Sequence, residues 1–254
     1  MTTRDIWVIS DTHFYDEDMI TYFNFKGERV REFDTCKQMD ECLMDNWNST
    51  IKPNDIVYHL GDVFFDREDV SRRAKFEIDW FKLHGHKRLV IGNHDDIRYL
   101  SGKSQDGRWF FEKVMKWRKY PEFGIFMTHE PIHESGLYSS TDFSKQLLNV
   151  HGHIHRNDSP NGPYRNVSVE ATNYKPVNIE DLKHALVEGF SKADIIVVGN
   201  DHRLYKEDGT DDFLEVTPGN PVISGSKIYM TESDYHKIAE IDYHKRKDHL
   251  GVSR

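Results

Sequence analysis

The chain has only two cysteines, no long apolar run and no excess of positive charge, and each shortage removes a class of protein. Cys36 and Cys42 lie six residues apart on a predicted helix, so their side chains diverge and build neither a disulfide framework nor a C-x-x-C metal or redox motif. They read as ordinary semi-buried residues of a reducing compartment. No apolar stretch approaches the roughly 20 residues a membrane helix needs. Met1-Thr2-Thr3-Arg4-Asp5 leads straight into a predicted strand without a signal-peptide pattern. The expected location is therefore the cytoplasm, with no membrane partner. The formal net charge is -9, whereas proteins that grip a nucleic-acid backbone over a whole face cluster Lys and Arg. Small phosphorylated substrates, or local contacts to a short nucleic acid, remain compatible with that balance.

Histidine, by contrast, is frequent, with 15 in all. Five of them fall in a series of short polar motifs: Asp11-Thr12-His13, Gly61-Asp62, Gly92-Asn93-His94-Asp95, Thr128-His129 and Gly152-His153-Ile154-His155. The first four follow the apolar runs 6–9, 56–58, 89–91 and 125–127, and short β-branched-rich runs bounded by turn residues read as buried strands. The motif residues are thus expected on loops at strand ends, where rigid strands make loop side chains converge.

Between these strands, Asp34 or Thr35 can cap a helix with Met39, Leu43 and Trp47 along one face. A second helix is predicted from about 66 to 84, with Phe76, Trp80 and Leu83 on its core face and Gly85 as its stop. Segment 98–120 reads as a surface excursion. Its basic run, Lys113, Lys116, Arg118 and Lys119 beside Trp109 and Trp117, suits either a nucleic-acid contact or a helix with a solvated basic face. Strands are predicted at 123–128, 148–151 and 166–170, and a last core helix at 179–187. Beyond it, 193–198 and 222–230 read as strands, 204–214 as a hairpin turning at 207–210, and Thr231 with Asp234 as the capping box of a charged terminal helix. The repeat-like string Gly199-Asn200-Asp201-His202 is explained by turn chemistry alone. We expect two domains, 1–189 and an α+β appendage at 190–254 of unassigned role.

Two cations about 3.5 to 4 Å apart need a bridging anion, and a two-oxygen carboxylate suits that task. Asp62 is the candidate bridge. Asp11 and His13 can both reach one cation, His153 and His155 share a side of an extended segment, Asn93 offers an amide oxygen and His129 an imidazole nitrogen. Such a mixed donor set suits two divalent transition-metal ions: Mn, Fe, Zn, Ni or Co.

The ordered pattern D-x-H, G-D, G-N-H-D, H, G-H-x-H resembles the calcineurin-like metallophosphoesterase superfamily. The surrounding text, including Asp45-Asn46-Trp47-Asn48, Val57-Tyr58-His59-Leu60 and Asn173-Tyr174-Lys175-Pro176, is similar to its small bacterial and phage predicted phosphohydrolases over about residues 4–187. The resemblance implies an α/β fold with a central β-sandwich flanked by helices. It implies one metal on Asp11, His13, Asp62 and His155 and the other on Asp62, Asn93, His129 and His153, with Mn the first choice. His94 would protonate the leaving group or steady its developing charge, and Asp95 would orient it. A water between two such cations becomes an in-line nucleophile near neutral pH, so no Ser or Cys nucleophile is required.

Smaller expectations attach to other residues. Arg156 could clamp a phosphate oxygen together with Asn93 and His94, although an exposed loop arginine is as readily solvated. His59 reads as a packed strand histidine, while Glu130 and His133 are possible supports for His129. Tyr138, Tyr164 and Tyr174 could stack on a base or simply cover core edges. The expected function is hydrolysis of a phosphodiester in a nucleotide or short nucleic acid. Phosphomonoesterase and protein phosphatase are the alternatives, the latter weakened because Asp66-Arg67 is displaced relative to G-D-x-x-D-R-G and its closing glycine is missing. A non-catalytic scaffold retaining the fold is the remaining one; oligomeric state is not legible.

Overall fold

The computed structural model describes residues 4–24, 26–65, 69–137 and 147–185, together with the strand segments 195–198, 203–205, 213–215, 222–224 and 227–231. Its elements are β1 (Ile6–Ile9), α1 (Cys36–Thr50), β2 (Ile56–His59), α2 (Val70–Trp80), β3 (His86–Val90), α3 (Ile97–Leu100), β4 (Lys113–Met115), β5 (Arg118–Tyr120), β6 (Ile125–Met127), β7 (Leu148–His151), β8 (Tyr164–Asn166), β9 (Val177–Asn178), α4 (Ile179–Ala185), β10 (Ile195–Val198), β11 (Arg203–Tyr205), β12 (Phe213–Glu215), β13 (Val222–Ser224) and β14 (Lys227–Thr231). The chain divides into two compact units, one of Met1–His133, Leu148–Pro160 and Tyr164–Lys183, the other of Glu134–Leu147, Asn161–Pro163 and His184–Arg254.

The first unit is a mixed α/β structure built on two sheets, in the orders β4-β3-β2-β1-β9 and β5-β6-β7-β8. In the first, β1, β2, β3 and β4 are parallel; in the second, β6, β7 and β8 are parallel. Parallel strands bring their carboxyl ends to one edge of a sheet, which is why motifs far apart in sequence become neighbours. The helices form for local reasons. Thr35 accepts the peptide N–H of Gln38 at the start of α1, and Met39, Leu43 and Trp47 make a buried stripe four residues apart. Asp69 caps α2 through the N–H groups of Ser71 and Arg72, and Phe76 and Trp80 face the core. There Phe76 stacks on Phe64 with ring centroids 4.3 Å apart, and Trp80 meets Trp47 edge-on at 5.8 Å.

Several elements depart from expectation. α2 stops at Trp80, because Lys82 and Leu83 donate to the carbonyls of Asp79 and Trp80 in turn bonds that lead the chain toward β3; its expected start at 66–68 lies outside the described residues. The basic run is neither a helix nor an excursion. It forms β4 and β5, edge strands pairing Arg88 with Lys113 and Arg118 with Met127. Residue Ser168 of the predicted 166–170 strand makes only an isolated bridge to Ser10, the regular strand lying earlier at β8. The predicted helix ending at 187 is described as α4 up to Ala185.

In the second unit β10 pairs parallel with β14, β14 antiparallel with β13, and β11 antiparallel with β12 in the register Leu204 opposite Leu214. The expected turn at 207–210, the 199–202 string and the helix after Thr231 lie outside the described residues, as does Tyr138. Among the described residues no helix is long and apolar enough to cross a membrane.

Candidate metal centre

Each motif continues from a parallel strand, and backbone hydrogen bonds tie the continuing loops together. The N–H groups of Asp11, His13 and Phe14 donate to the carbonyls of Gly61, Asp62 and Val63, each at 3.0 Å, so the first two loops run side by side beyond β1 and β2. Gly152 N–H reaches the His129 carbonyl at 2.8 Å, joining the loops after β6 and β7.

Five motif side chains stand on left-handed backbone: Asp11 (φ 58°), His13 (φ 47°), Asp62 (φ 55°), His153 (φ 70°) and His155 (φ 50°). A non-glycine residue pays about 1–3 kcal/mol for such a conformation, and strain of this kind collects where function requires a side chain to be aimed. The loops also approach as closely as glycine allows. A Cβ on Gly92 would collide with the Asp62 carboxylate, and one on Gly152 with Ser10 Oγ and the Asp11 carboxylate.

The result is two clusters of potential ligands. Donor atoms of Asp11, His13 and His155 lie within 4.8 Å of one another, and so do those of Asp62, His129 and His153. Asp62 Oδ2 faces both, 3.7 Å from His13 Nε2 and 3.3 Å from His129 Nε2. Asn93 Oδ1 is 2.8 Å from His129 Nε2 and 2.9 Å from His153 Nδ1. Asp11, His13, Asp62 and His129 are buried, whereas Asn93 and His94 are exposed.

Electrostatics express the same crowding. Burial disfavours the charge on Asp62, but His129, His13 and the His94 N–H outweigh it and hold the carboxyl well below its usual range. Burial likewise opposes protonation of His129, yet Asp62 and Asp11 push its imidazole up to about 9. A buried carboxylate with imidazole nitrogens on two sides of it is a donor set that bound cations suit. His13 Nε2 is buried with no hydrogen-bond partner, and the mixed carboxylate, amide and imidazole donors match a divalent transition metal.

The remaining residues fall into place around the clusters. The His94 ring lies 5.7 Å from that of His13. Asp95 directs its carboxylate at the peptide N–H groups of Asp62, Val63 and Gly92, at 3.1, 2.9 and 2.8 Å, and so fastens the second and third loops to each other. Arg156 pairs with Glu32 at 3.1 Å. His59 is wholly buried; burial lowers its pKa to about 3, and the neutral ring meets Thr12 Oγ1 at 2.9 Å and the Gly61 N–H at 3.2 Å. A cleft of about 370 Å³ beside His155 is lined by Glu28, Arg156, Asn157, Tyr164 and Arg165 among others.

Two site residues escaped the sequence reading. The side chains of Arg31 and Glu170 are fully buried and paired at 2.7 Å, and Glu170 also meets His155 Nδ1 at 3.1 Å. The one available signal was the ending of the alternation Val167-Ser168-Val169 on a carboxylate.

The chain is similar to known proteins in sequence and in fold. The model of the family described as calcineurin-like phosphoesterase matches residues 4–237, further along the chain than the 4–187 suggested by motifs. An uncharacterized protein of Methanocaldococcus jannaschii, MJ1445, is 31% identical over 196 residues, covering 74% of this chain and 94% of its own. The crystal structure of AQ665, a protein of unknown function from Aquifex aeolicus, superposes with a TM-score of 0.53 at 26% identity, over 72% of this chain and 100% of that one.

Proposed function

Since this chain belongs to the calcineurin-like phosphoesterase family, and is thereby a metal-dependent phosphoester hydrolase, we propose that its substrate is a phosphodiester in a nucleotide or short nucleic acid. In this reading Asp11, His13, Asp62 and His155 hold one cation and Asp62, Asn93, His129 and His153 the other. The observation that carries it is the position of Asp62 Oδ2, which faces an imidazole nitrogen of each cluster. Manganese is the first choice of metal, with Fe, Zn, Ni or Co served by the same donors. When bound, two such ions neutralise phosphate charge and supply an acidified water. The protein's own residues then orient the ester: Asn93 and His94 are exposed beside the clusters, and His94 delivers a proton to the leaving oxygen.

Charge supports a diester over a monoester. A dianionic monoester needs more compensation than a monoanionic diester, and the cationic side chains beside the clusters are engaged elsewhere. Arg31 donates to the Asp11 and Thr12 carbonyls and to Glu170, while Arg156 faces Glu32. Residues 190–254 serve specificity or assembly in this reading, and not the hydrolytic step. The test is a panel of mononucleotides, cyclic nucleotides, dinucleotides and phosphopeptides assayed with defined metals. A clear preference for monoesters or phosphopeptides would overturn the substrate class.

A further inference from the structure

The first candidate ligand pair and the last are joined by a buried ion pair that no motif contains. Arg31 donates Nε to Glu170 Oε1 at 2.7 Å, one guanidinium nitrogen to the Thr12 carbonyl at 2.8 Å and the other to the Asp11 carbonyl. The same Glu170 Oε1 meets His155 Nδ1 at 3.1 Å. Arg31 and Glu170 stand 139 positions apart, both side chains have no exposure, and Glu170 Oε2 is buried without a hydrogen-bond partner.

This arrangement is a costly way to gain stability. Moving two charges out of water costs several kcal/mol per ion, and a pair of packed apolar residues is often as stable. An orphaned carboxylate oxygen adds to that cost. Its distinctive result is geometric. A histidine whose Nδ1–H is held by a carboxylate has its tautomer and ring orientation set, leaving the Nε2 lone pair as its donor. The guanidinium meanwhile holds the carbonyls of Asp11 and Thr12, the peptides that carry Asp11 and His13 on their left-handed backbone.

We infer that Arg31 and Glu170 are positioning residues that preset His155 as an Nε2 donor and fix the Asp11–His13 loop, making the cluster of Asp11, His13 and His155 competent to bind its metal. The inference rests on the two-metal reading, and it assigns this pair to one cluster only. Arg31 and Glu170 do not touch the substrate.

The test combines three variants with two readouts. Glu170→Ala removes the carboxylate, Glu170→Gln keeps an acceptor for His155, and Arg31→Met with Glu170→Met replaces the pair by apolar bulk, which preserves folding without the charges. The His155 tautomer is read by ring-nitrogen NMR of the metal-free protein in alkaline buffer, and Mn²⁺ affinity and stoichiometry are read by titration calorimetry with metal analysis. We expect the wild-type protein to show the Nδ1–H tautomer, and Glu170→Ala and the double variant to lose that preference. Both should bind one of two Mn²⁺ ions more weakly by roughly 10- to 100-fold while the other is unchanged, and Glu170→Gln should restore most of the affinity. An unchanged tautomer, or wild-type affinity at both sites in a folded double variant, overturns the inference. A parallel loss at both sites that tracks melting temperature does so too, by assigning the pair to stability alone. Wild-type protein that takes up fewer than two ions would instead refute the two-metal reading, and the tautomer would still decide whether Glu170 positions His155.

Discussion

The peptide N–H of His94 donates to Oδ1 of Asp62 at 2.9 Å. The loop carrying the candidate proton donor is therefore latched to the carboxylate that faces both ligand clusters through its other oxygen. Any change at Asp62 is felt by the metals and by His94 together, while a change in the His94 ring leaves the latch in place because the bond comes from the backbone.

Asp62→Asn separates charge from shape. The amide oxygen can still accept the His94 N–H, but it no longer offers the second anionic oxygen that two cations share. We expect the purified variant to retain its fold, to lose tight binding of both ions and to lose hydrolysis. Metal analysis beside activity checks this, and two equivalents of metal with normal turnover would refute the bridging role.

His94→Ala tests the donor alone. Both metals should remain, and turnover should fall by roughly 100-fold or more, as for a positioned acid lost without a ligand. The loss should be larger for an alkoxide leaving group than for an activated aryl group that needs no proton. Equal losses on the two would assign His94 to binding.

Much of this centre was legible because strand ends advertise themselves. Residues 6–9 and 56–58 are apolar runs cut off by polar residues, and Gly61, Gly92 and Gly152 mark the places where loops meet. What was hidden is non-local. Lys113–Met115 and Arg118–Tyr120 are three-residue strands with basic side chains, too short for an alternation, and their identity comes from the neighbours they pair with. Arg31 lies in a polar stretch with no periodicity, so its burial against Glu170 follows from the assembled loops alone. Asp95 could be placed in the site, but its bonds to the N–H groups of Asp62, Val63 and Gly92 depend on the approach of two loops after separate strands.

Gly152→Ala probes that approach. The added methyl would be driven into Ser10 Oγ and the Asp11 carboxylate, and the Ser10 to Phe14 loop is tied through its backbone to Gly61, Asp62 and Val63, so it cannot simply retreat. Displacement of a ligand by even about 1 Å is enough to disable a site. We expect weaker binding of the metal assigned to Asp11, His13 and His155, accompanied by a lower melting temperature. Unaltered binding of both ions would show that the loop yields without cost.

Asp40, which belongs to neither ligand cluster, sets a pH dependence of stability. It is buried on the inner face of α1, accepts the Tyr15 N–H at 3.1 Å and faces Cys36, with Lys75 and Arg31 as the cations acting on it. Burial dominates and pushes its carboxyl up to about 6 from an ordinary value of 3.8, against the opposing pull of the Tyr15 N–H, Cys36, Lys75 and Arg31. A raised folded-state pKa means that the native protein holds this proton more tightly than the unfolded chain does. The associated stability is thus complete below about pH 4 and is lost as pH rises through about 6. Asp40→Asn retains an acceptor for Tyr15 and has no charge to bury, so it should match the wild type near pH 4 and exceed it near pH 8, by on the order of 2 kcal/mol. Denaturant unfolding at the two pH values, with apo protein to exclude metal linkage, measures the difference. An equal loss of stability at both would mean that Lys75 and Arg31 already compensate the Asp40 charge and that its hydrogen bonds are what matter.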